Sequence, residues 1–258
     1  MGAVSKALLV FRTVRHLRPV QWVYLPLRRL QGPAAPPPDA PAQADEANAA
    51  RMAEALAAWD DIPDAEALRR ADEVVRGRFV FLNHEEELGD PEWLGRPVSH
   101  LWSYNLQYFA YAADLARAWR ATGDERYVRR FEALAGSWID VAGDGAGDGW
   151  EPYALSTRIV HWTEALLLFG AALRSDARER IVRSLRRQVA ALAGRMERHL
   201  QANHLQRNYL ALAVGGLFLA GPDAARWRRA GLAGSWRAVL DQVRADGGHV
   251  ERSPTYHA

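Results

Sequence analysis

The sequence predicts an all-α fold in which antiparallel helix hairpins are arranged as an α/α toroid. Apolar residues recur at three- and four-residue spacing along most of the chain, Gly, Pro and Asp interrupt these segments at short intervals, and strand-like runs are rare. Helix pairs with one amphipathic and one mostly apolar member suit a toroid or a solenoid. The lack of a strict repeat period favours the toroid.

Composition narrows the class of protein. The chain has 258 residues, of which 49% are hydrophobic and 25% charged, so it can bury a large core as one or two globular domains. Its net charge of +2 is too small to indicate a nucleic-acid partner. Cysteine is absent, which excludes disulfides and thiolate metal sites. No stretch is long and apolar enough to predict a membrane span.

Three regions are predicted along the chain. Residues 1–31 form a basic amphipathic segment, residues 32–42 a Pro/Ala-rich linker, and residues 43–258 the helical domain. The apolar run 7–11 is short for a signal peptide and leads directly into basic residues, so we interpret it as part of an amphipathic helix of the mature protein. A signal peptide is the less favoured alternative.

The helical domain opens with Ala-rich helices at about 43–59 and 64–76, and Pro63 suits a helix start. Residues 78–93 are less regular and predict a short extended piece and a loop. One stripe of large apolar residues then recurs at three- and four-residue spacing, which predicts a single long helix. Its members are Tyr104, Tyr108, Tyr111, Leu115 and Trp119.

The second half continues with helices separated by turn residues. The Gly/Asp-rich stretch 143–150 could supply oxygen ligands to calcium, but it lacks the acidic spacing of an EF-hand, so a plain surface loop is favoured. The stretch 205–220 is apolar nearly all round and is predicted to be buried. The remaining helices are predicted at 131–141, 159–169, 181–199 and 236–245.

The strongest candidates for catalytic residues are Asn203, His204 and Tyr256. An Asn and a His can donate hydrogen bonds to a carboxylate, and a Tyr can act as base and then as acid. This set suits removal of a weakly acidic proton beside a carboxylate, as in β-elimination of a uronic acid polymer. The ordinary alternative is that Asn203 is a helix N-cap and His204 a surface residue. The ten Trp residues suit either sugar-binding grooves or a helical core.

Several stretches together resemble the N-terminal toroid region of the heparinase II/III-like polysaccharide lyases. The resemblance covers nearly the whole chain in order, in the stretches 14–24, 79–93, 101–109, 151–162, 199–212 and 246–257.

The resemblance implies a groove that binds an acidic polysaccharide. It implies that Asn203 and His204 neutralise the uronate carboxylate and that Tyr256 is the catalytic acid/base. It also implies substrate-binding candidates in the groove or beside the catalytic residues. These candidates are Tyr104, Asn105, Tyr153, Arg158, Trp162, Arg207, Asn208, Glu251, Arg252 and His257.

Family members normally continue into a C-terminal β-sandwich, for which this sequence has no counterpart. We therefore expect an incomplete toroid, truncated at its C-terminal end, and an incomplete active site. We expect no cofactor or metal in this chain, although a zinc or other divalent ion could occupy the missing domain. The resemblance suggests a periplasmic location, with the cytoplasm as the alternative, and the sequence leaves the oligomeric state open.

Two other functions stay open. A glycoside hydrolase on the same scaffold needs two carboxylates about 5–10 Å apart, and none of the candidates forms a recognisable pair in sequence. A non-catalytic carbohydrate-binding remnant is the other alternative. The carboxylate candidates are Asp144, Asp148, Glu151, Asp246 and Glu251.

Overall fold

The computed structural model describes residues 23–24, 37–59, 65–95, 98–200, 202–244 and 246–248. In these ranges the all-α prediction is confirmed, because nine α-helices account for most of the chain and only two short strands occur. The helices are α1 (Glu46–Trp59), α2 (Ala65–Val75), α3 (His100–Tyr108), α4 (Tyr111–Thr122), α5 (Glu125–Ala142), α6 (Pro152–Phe169), α7 (Ser175–Gly194), α8 (Ala202–Phe218) and α9 (Pro222–Gln242).

The predicted extended piece is an antiparallel hairpin of β1 (Arg78–Phe81) and β2 (His84–Glu87), with Arg78 paired to Glu87. Its two turn residues, Leu82 and Asn83, have φ of 56° and 60°. Positive φ at both central positions is the geometry that matches the twist of a two-residue hairpin.

The prediction of one long helix from Tyr104 to Trp119 is wrong. The helix ends at Phe109, which has a left-handed backbone with φ of 56°, and α4 starts two residues later. The Phe109 ring is fully buried, stacks on Trp93 at a centroid distance of 5.2 Å and meets Trp162 edge-on at 5.3 Å. This burial offsets the left-handed backbone, which costs a non-glycine residue about 1–2 kcal/mol.

Other helix boundaries differ from the predicted ones at turns. Helix α7 begins at Ser175 and ends at Gly194, before the predicted end at His199. Helix α9 begins at Pro222, much earlier than predicted, because Pro is well suited to the first turn of a helix.

Helix α6 lies at the centre of the packing, with α3, α4, α7 and α8 against it. Its residues Ile159, Trp162 and Ala165 are completely buried. Of the predicted linker, residues 37–42 are described, and the Pro37 carbonyl accepts a hydrogen bond from Arg187 Nε at 3.1 Å. Most of residues 1–36 lies outside the described residues, so the three-region division stays a prediction. No helix in the described ranges is both long enough and apolar enough to cross a bilayer.

Helices α8 and α9 form the closest pair. A Cβ atom added at Gly231 would lie 2.3 Å from the Ala213 backbone nitrogen and 2.7 Å from the Tyr209 carbonyl oxygen. The two backbones can therefore approach this closely only because position 231 has no side chain.

We expect Gly231→Ala to lower the free energy of unfolding by about 1–3 kcal/mol, because the added methyl group forces the two backbones apart. Gly136→Ala is the matched control, since its Cβ would meet only the end of Arg180 at 3.5 Å. That control should be neutral or stabilise by up to about 1 kcal/mol. Urea unfolding of both variants checks this, and equal stabilities would contradict the close packing.

Candidate functional site

Asn203 and His204 lie in the first turn of α8, and both are partly buried. The His204 backbone N–H donates to Asn203 Oδ1 at 2.9 Å. The Asn203 amide nitrogen is the donor end of its side chain. The N-terminal turn of a helix also carries a partial positive charge, which favours an anion beside these residues.

The His204 ring pairs with a carboxylate that the sequence analysis did not identify. Its Nδ1 lies 3.3 Å from each oxygen of Glu197, in the turn between α7 and α8. Glu197 is buried. The two residues are seven positions apart, and only the conformation of the intervening turn brings them together.

The Asn208 side chain stabilises this turn through hydrogen bonds. Its Oδ1 accepts a hydrogen bond from the Glu197 backbone N–H at 2.7 Å. Its amide nitrogen donates to Ser156 Oγ at 2.9 Å and to Glu197 Oε2 at 3.2 Å. Asn208 is completely buried, so its predicted contact with substrate is corrected to a supporting contact with Glu197.

Five aromatic rings, here called the aromatic row, run from His204 across the surface. Tyr153 packs on the His204 ring at a centroid distance of 4.6 Å, and Tyr108 meets Tyr153 at 5.8 Å. Tyr104 stacks on Tyr108 at 6.2 Å, and His100 stacks on Tyr104 at 4.5 Å. The three α3 members recur every fourth residue and so share one helix face. Partly exposed rings of this kind offer flat apolar surfaces to sugar rings.

Tyr108 and His100 were missing from the predicted site. Burial raises the pKa of the Tyr108 phenol, and the neighbouring phenols and the Glu197 carboxylate raise it further. Tyr108 therefore stays protonated at neutral pH. At the other end of the row, His100 Nε2 lies 2.9 Å from Asp148 Oδ2. The repeat at positions 100, 104 and 108 was the sequence signal for this face.

His161 supports Tyr108 from inside the fold. Its Nδ1 lies 2.8 Å from the Tyr108 carbonyl oxygen, so Nδ1 carries the proton that is donated. Burial lowers the pKa of His161, and the nearby charges of Arg207 and Arg117 lower it further. Arg207, a predicted substrate-binding residue, therefore lies close enough to His161 to affect its pKa, and it is itself partly buried.

The structure corrects two further substrate-binding predictions. Arg158 and Trp162 are completely buried in the core. The Arg158 guanidinium donates to the Gln107 carbonyl at 3.0 Å and to the Gly149 carbonyl at 2.8 Å. Other helices surround the middle of α6, so Arg158 and Trp162 serve packing there, whereas Tyr153 at the start of α6 belongs to the aromatic row.

The remaining predicted residues fall into two groups. Asn105 is partly exposed next to the aromatic row and donates to the Leu101 carbonyl at 2.8 Å. Tyr256, together with Glu251, Arg252 and His257, lies outside the described residues. In the part of the chain that is described, no group of three His, Asp or Glu residues is arranged to hold a metal ion.

The chain is similar to a known family and to characterised proteins. The family model described as Heparinase II/III N-terminus matches residues 47–258. A curated heparin-sulfate lyase of Pedobacter heparinus is 29% identical over 154 residues, which cover 55% of this chain and 23% of that protein.

Solved structures share the fold of this chain. The crystal structure of heparan sulfate lyase HepC from Pedobacter heparinus matches with a TM-score of 0.63 and 25% identity, covering 77% of this chain and 32% of that one. A crystal structure of heparinase III matches with a TM-score of 0.62 and 22% identity, covering 81% of this chain and 37% of that one. The chain therefore spans between about a quarter and two fifths of the length of these relatives.

We expect Asn208→Ala to lower the free energy of unfolding by about 1–3 kcal/mol, because it leaves the buried Glu197 N–H and carboxylate without their amide partner. Asn105→Ala, at a partly exposed position, should cost less than about 0.5 kcal/mol. Urea unfolding measures both. A loss in Asn208→Ala no larger than in the control would contradict the supporting role.

The unfolding free energy should also fall when the pH drops below the ordinary His161 pKa of 6.5. Below that pH the unfolded ring takes up a proton that the native ring, with its lowered pKa, resists. Denaturation at about pH 7.5 and about pH 5.5 should show a smaller decline in His161→Gln, which keeps a donor for the Tyr108 carbonyl. An identical decline in both proteins would contradict the assignment.

Proposed function

The chain belongs to the Heparinase II/III N-terminus family, and from this premise we propose that it forms the helical part of a polysaccharide lyase. The lyase cleaves a uronic-acid-containing polysaccharide by β-elimination. The observation that carries the proposal is the position of Asn203 and His204, which lie side by side in the first turn of α8 at one end of the aromatic row.

The reaction begins at C5 of the uronic acid, next to its carboxylate. When the C5 proton is removed, negative charge spreads onto the carboxylate oxygens. Hydrogen-bond donors already aimed at those oxygens lower the barrier, because they need no reorganisation as the charge develops. In the proposal Asn203 donates from its amide nitrogen, and His204 donates from Nε2 when its ring carries both protons. The positive end of the α8 dipole supports both.

Tyr256 is the proposed acid/base, from its match to the family pattern. As a phenolate it takes the C5 proton, and as a phenol it returns a proton to the leaving oxygen. The C4–O bond breaks and a C4–C5 double bond forms, so protons and electrons balance. A phenol with an ordinary pKa of about 10 needs nearby cations for this work. Arg252 and His257 are the proposed neighbours, and Glu251 is proposed to orient the same segment.

The aromatic row is proposed to carry the sugar units that flank the bond to be cleaved. Tyr104 and Tyr153 were expected to contact substrate, and the packing of Tyr108 between them adds a third ring. Asn105 and Arg207 are proposed as polar contacts on the same side. The names of the relatives make heparin and heparan sulfate the first polymers to test. The proposed periplasmic location follows from the family resemblance.

The test is ultraviolet absorbance during incubation of the full-length protein with a panel of uronate polysaccharides, because the new double bond conjugated to the carboxylate absorbs. We expect a rise with at least one polymer. Tyr256→Phe should abolish it, and Asn203→Ala or His204→Ala should slow it by about a hundredfold or more.

His84→Ala is the matched control, because His84 is exposed on the β-hairpin, 52% of its side chain being accessible. It should keep full activity. New reducing ends without a rise in absorbance would replace the lyase with a glycoside hydrolase. Polymer binding without either signal would leave a carbohydrate-binding protein.

A further inference from the structure

Glu197 carries a buried carboxylate that has no role in the proposed reaction. Only 9% of its side chain is accessible, whereas 38% of the His204 side chain is. The two nitrogens of an imidazole lie on opposite sides of the ring. Because Nδ1 faces the buried Glu197, Nε2 is directed away from Glu197.

The geometry points to Glu197 as a positioning residue that fixes the ring of His204 and its protonation. We propose that Glu197 holds the proton on Nδ1, so that Nε2 is the atom offered to the sugar carboxylate. The catalytic consequence rests on the proposed function of His204. The orientation itself depends only on contacts within the chain.

Glu197 is held firmly enough to act in this way. Its backbone N–H donates to Asn208 Oδ1 at 2.7 Å, and its carbonyl accepts from the Leu200 N–H at 3.0 Å. Its carboxylate receives the Asn208 amide at 3.2 Å. Ser156 in turn receives the same amide and donates to the Pro152 carbonyl at 2.7 Å. The network thus anchors Glu197 on both α8 and α6.

The ring of His204 is restricted on a second side. Tyr153 packs against it at a centroid distance of 4.6 Å and an interplanar angle of 47°. A ring that contacts Glu197 along its edge and packs at an angle against Tyr153 has little freedom to flip. A hydrogen bond at one imidazole nitrogen determines which nitrogen carries the proton in the neutral ring.

The pairing has a chemical consequence for the site. A neutral His204 with its proton on Nδ1 presents a lone pair at Nε2, which cannot donate to a carboxylate. It donates only when the ring carries both protons. The Glu197 charge offsets the positive charge of that ring, so the imidazolium would lie between two carboxylates, one from the protein and one from the sugar.

Nitrogen-15 NMR of the His204 ring tests the orientation without any activity. The signals are assigned by their loss in His204→Gln. In the wild-type protein near neutral pH we expect the proton on Nδ1. Glu197→Gln should shift the ring toward the other tautomer, since an amide does not demand a donor as a carboxylate does. Unchanged His204 signals in folded Glu197→Gln would overturn the proposal.

Glu132→Gln is the matched control, because Glu132 is buried to a similar degree: its side chain is 7% accessible, against 9% for Glu197. Glu132 accepts from Arg174 and lies on α5, which carries no member of the aromatic row. It should lose stability in the same way as Glu197→Gln but leave the His204 signals in place. A shift of those signals in Glu132→Gln would show a general effect of removing a buried charge, and would also overturn the proposal.

Kinetics of the full-length protein test the consequence. Glu197→Gln should lower kcat at least about tenfold in the wild-type background and have little further effect in His204→Ala, because the two residues act as one unit. Equal losses in both backgrounds would assign Glu197 a merely structural role. If no polymer is cleaved, the proposed function fails, while the NMR result still decides the positioning of His204.

Discussion

The buried guanidinium of Arg158 is the contact on which the arrangement of the site depends. It binds the carbonyl of Gln107 at the end of α3, the carbonyl of Gly149 before α6, and Gln188 Oε1 on α7. It also lies 3.9 Å above the Trp138 ring. Burying a charge is costly unless its donors are satisfied, and burial lowers the pKa of this Arg158 side chain. Removing it would leave three carbonyl oxygens unpaired in the core.

Helix α6 connects this buried contact to both parts of the site. Its first residues include Tyr153, a member of the aromatic row, and Ser156, which receives the amide of Asn208. Arg158 and His161 then hold the carbonyls of Gln107 and Tyr108 at the end of α3. One helix therefore fixes the position of α3, of the first turn of α8 and of the turn that carries Glu197. The surface residues of the row depend on a core that sets their spacing.

The sequence predicted the helical fold and the family because periodicity and ordered motifs are local or linear features. It did not show which residues of α6 are buried in the core and which face a groove, because a helix that is surrounded on most sides has large residues on all its faces. Arg158 and Trp162 were therefore assigned to the groove. Glu197 was not predicted as a site residue, because its pairing with His204 depends on the backbone conformation of the turn between α7 and α8. The break at Phe109 was not predicted, because the stripe residues before and after it keep the helical spacing and so do not reveal its left-handed backbone.

The left-handed residue between α3 and α4 also affects how this region can change in evolution. Consecutive residues of a helix are rotated by about 100°. An extra residue inside α3 would turn part of the aromatic row toward the core, so the length of that helix is constrained. An extra residue in the exposed end of α4 is separated from the row by the break at Phe109. Length variation among homologues should therefore accumulate after the break and be rare before it.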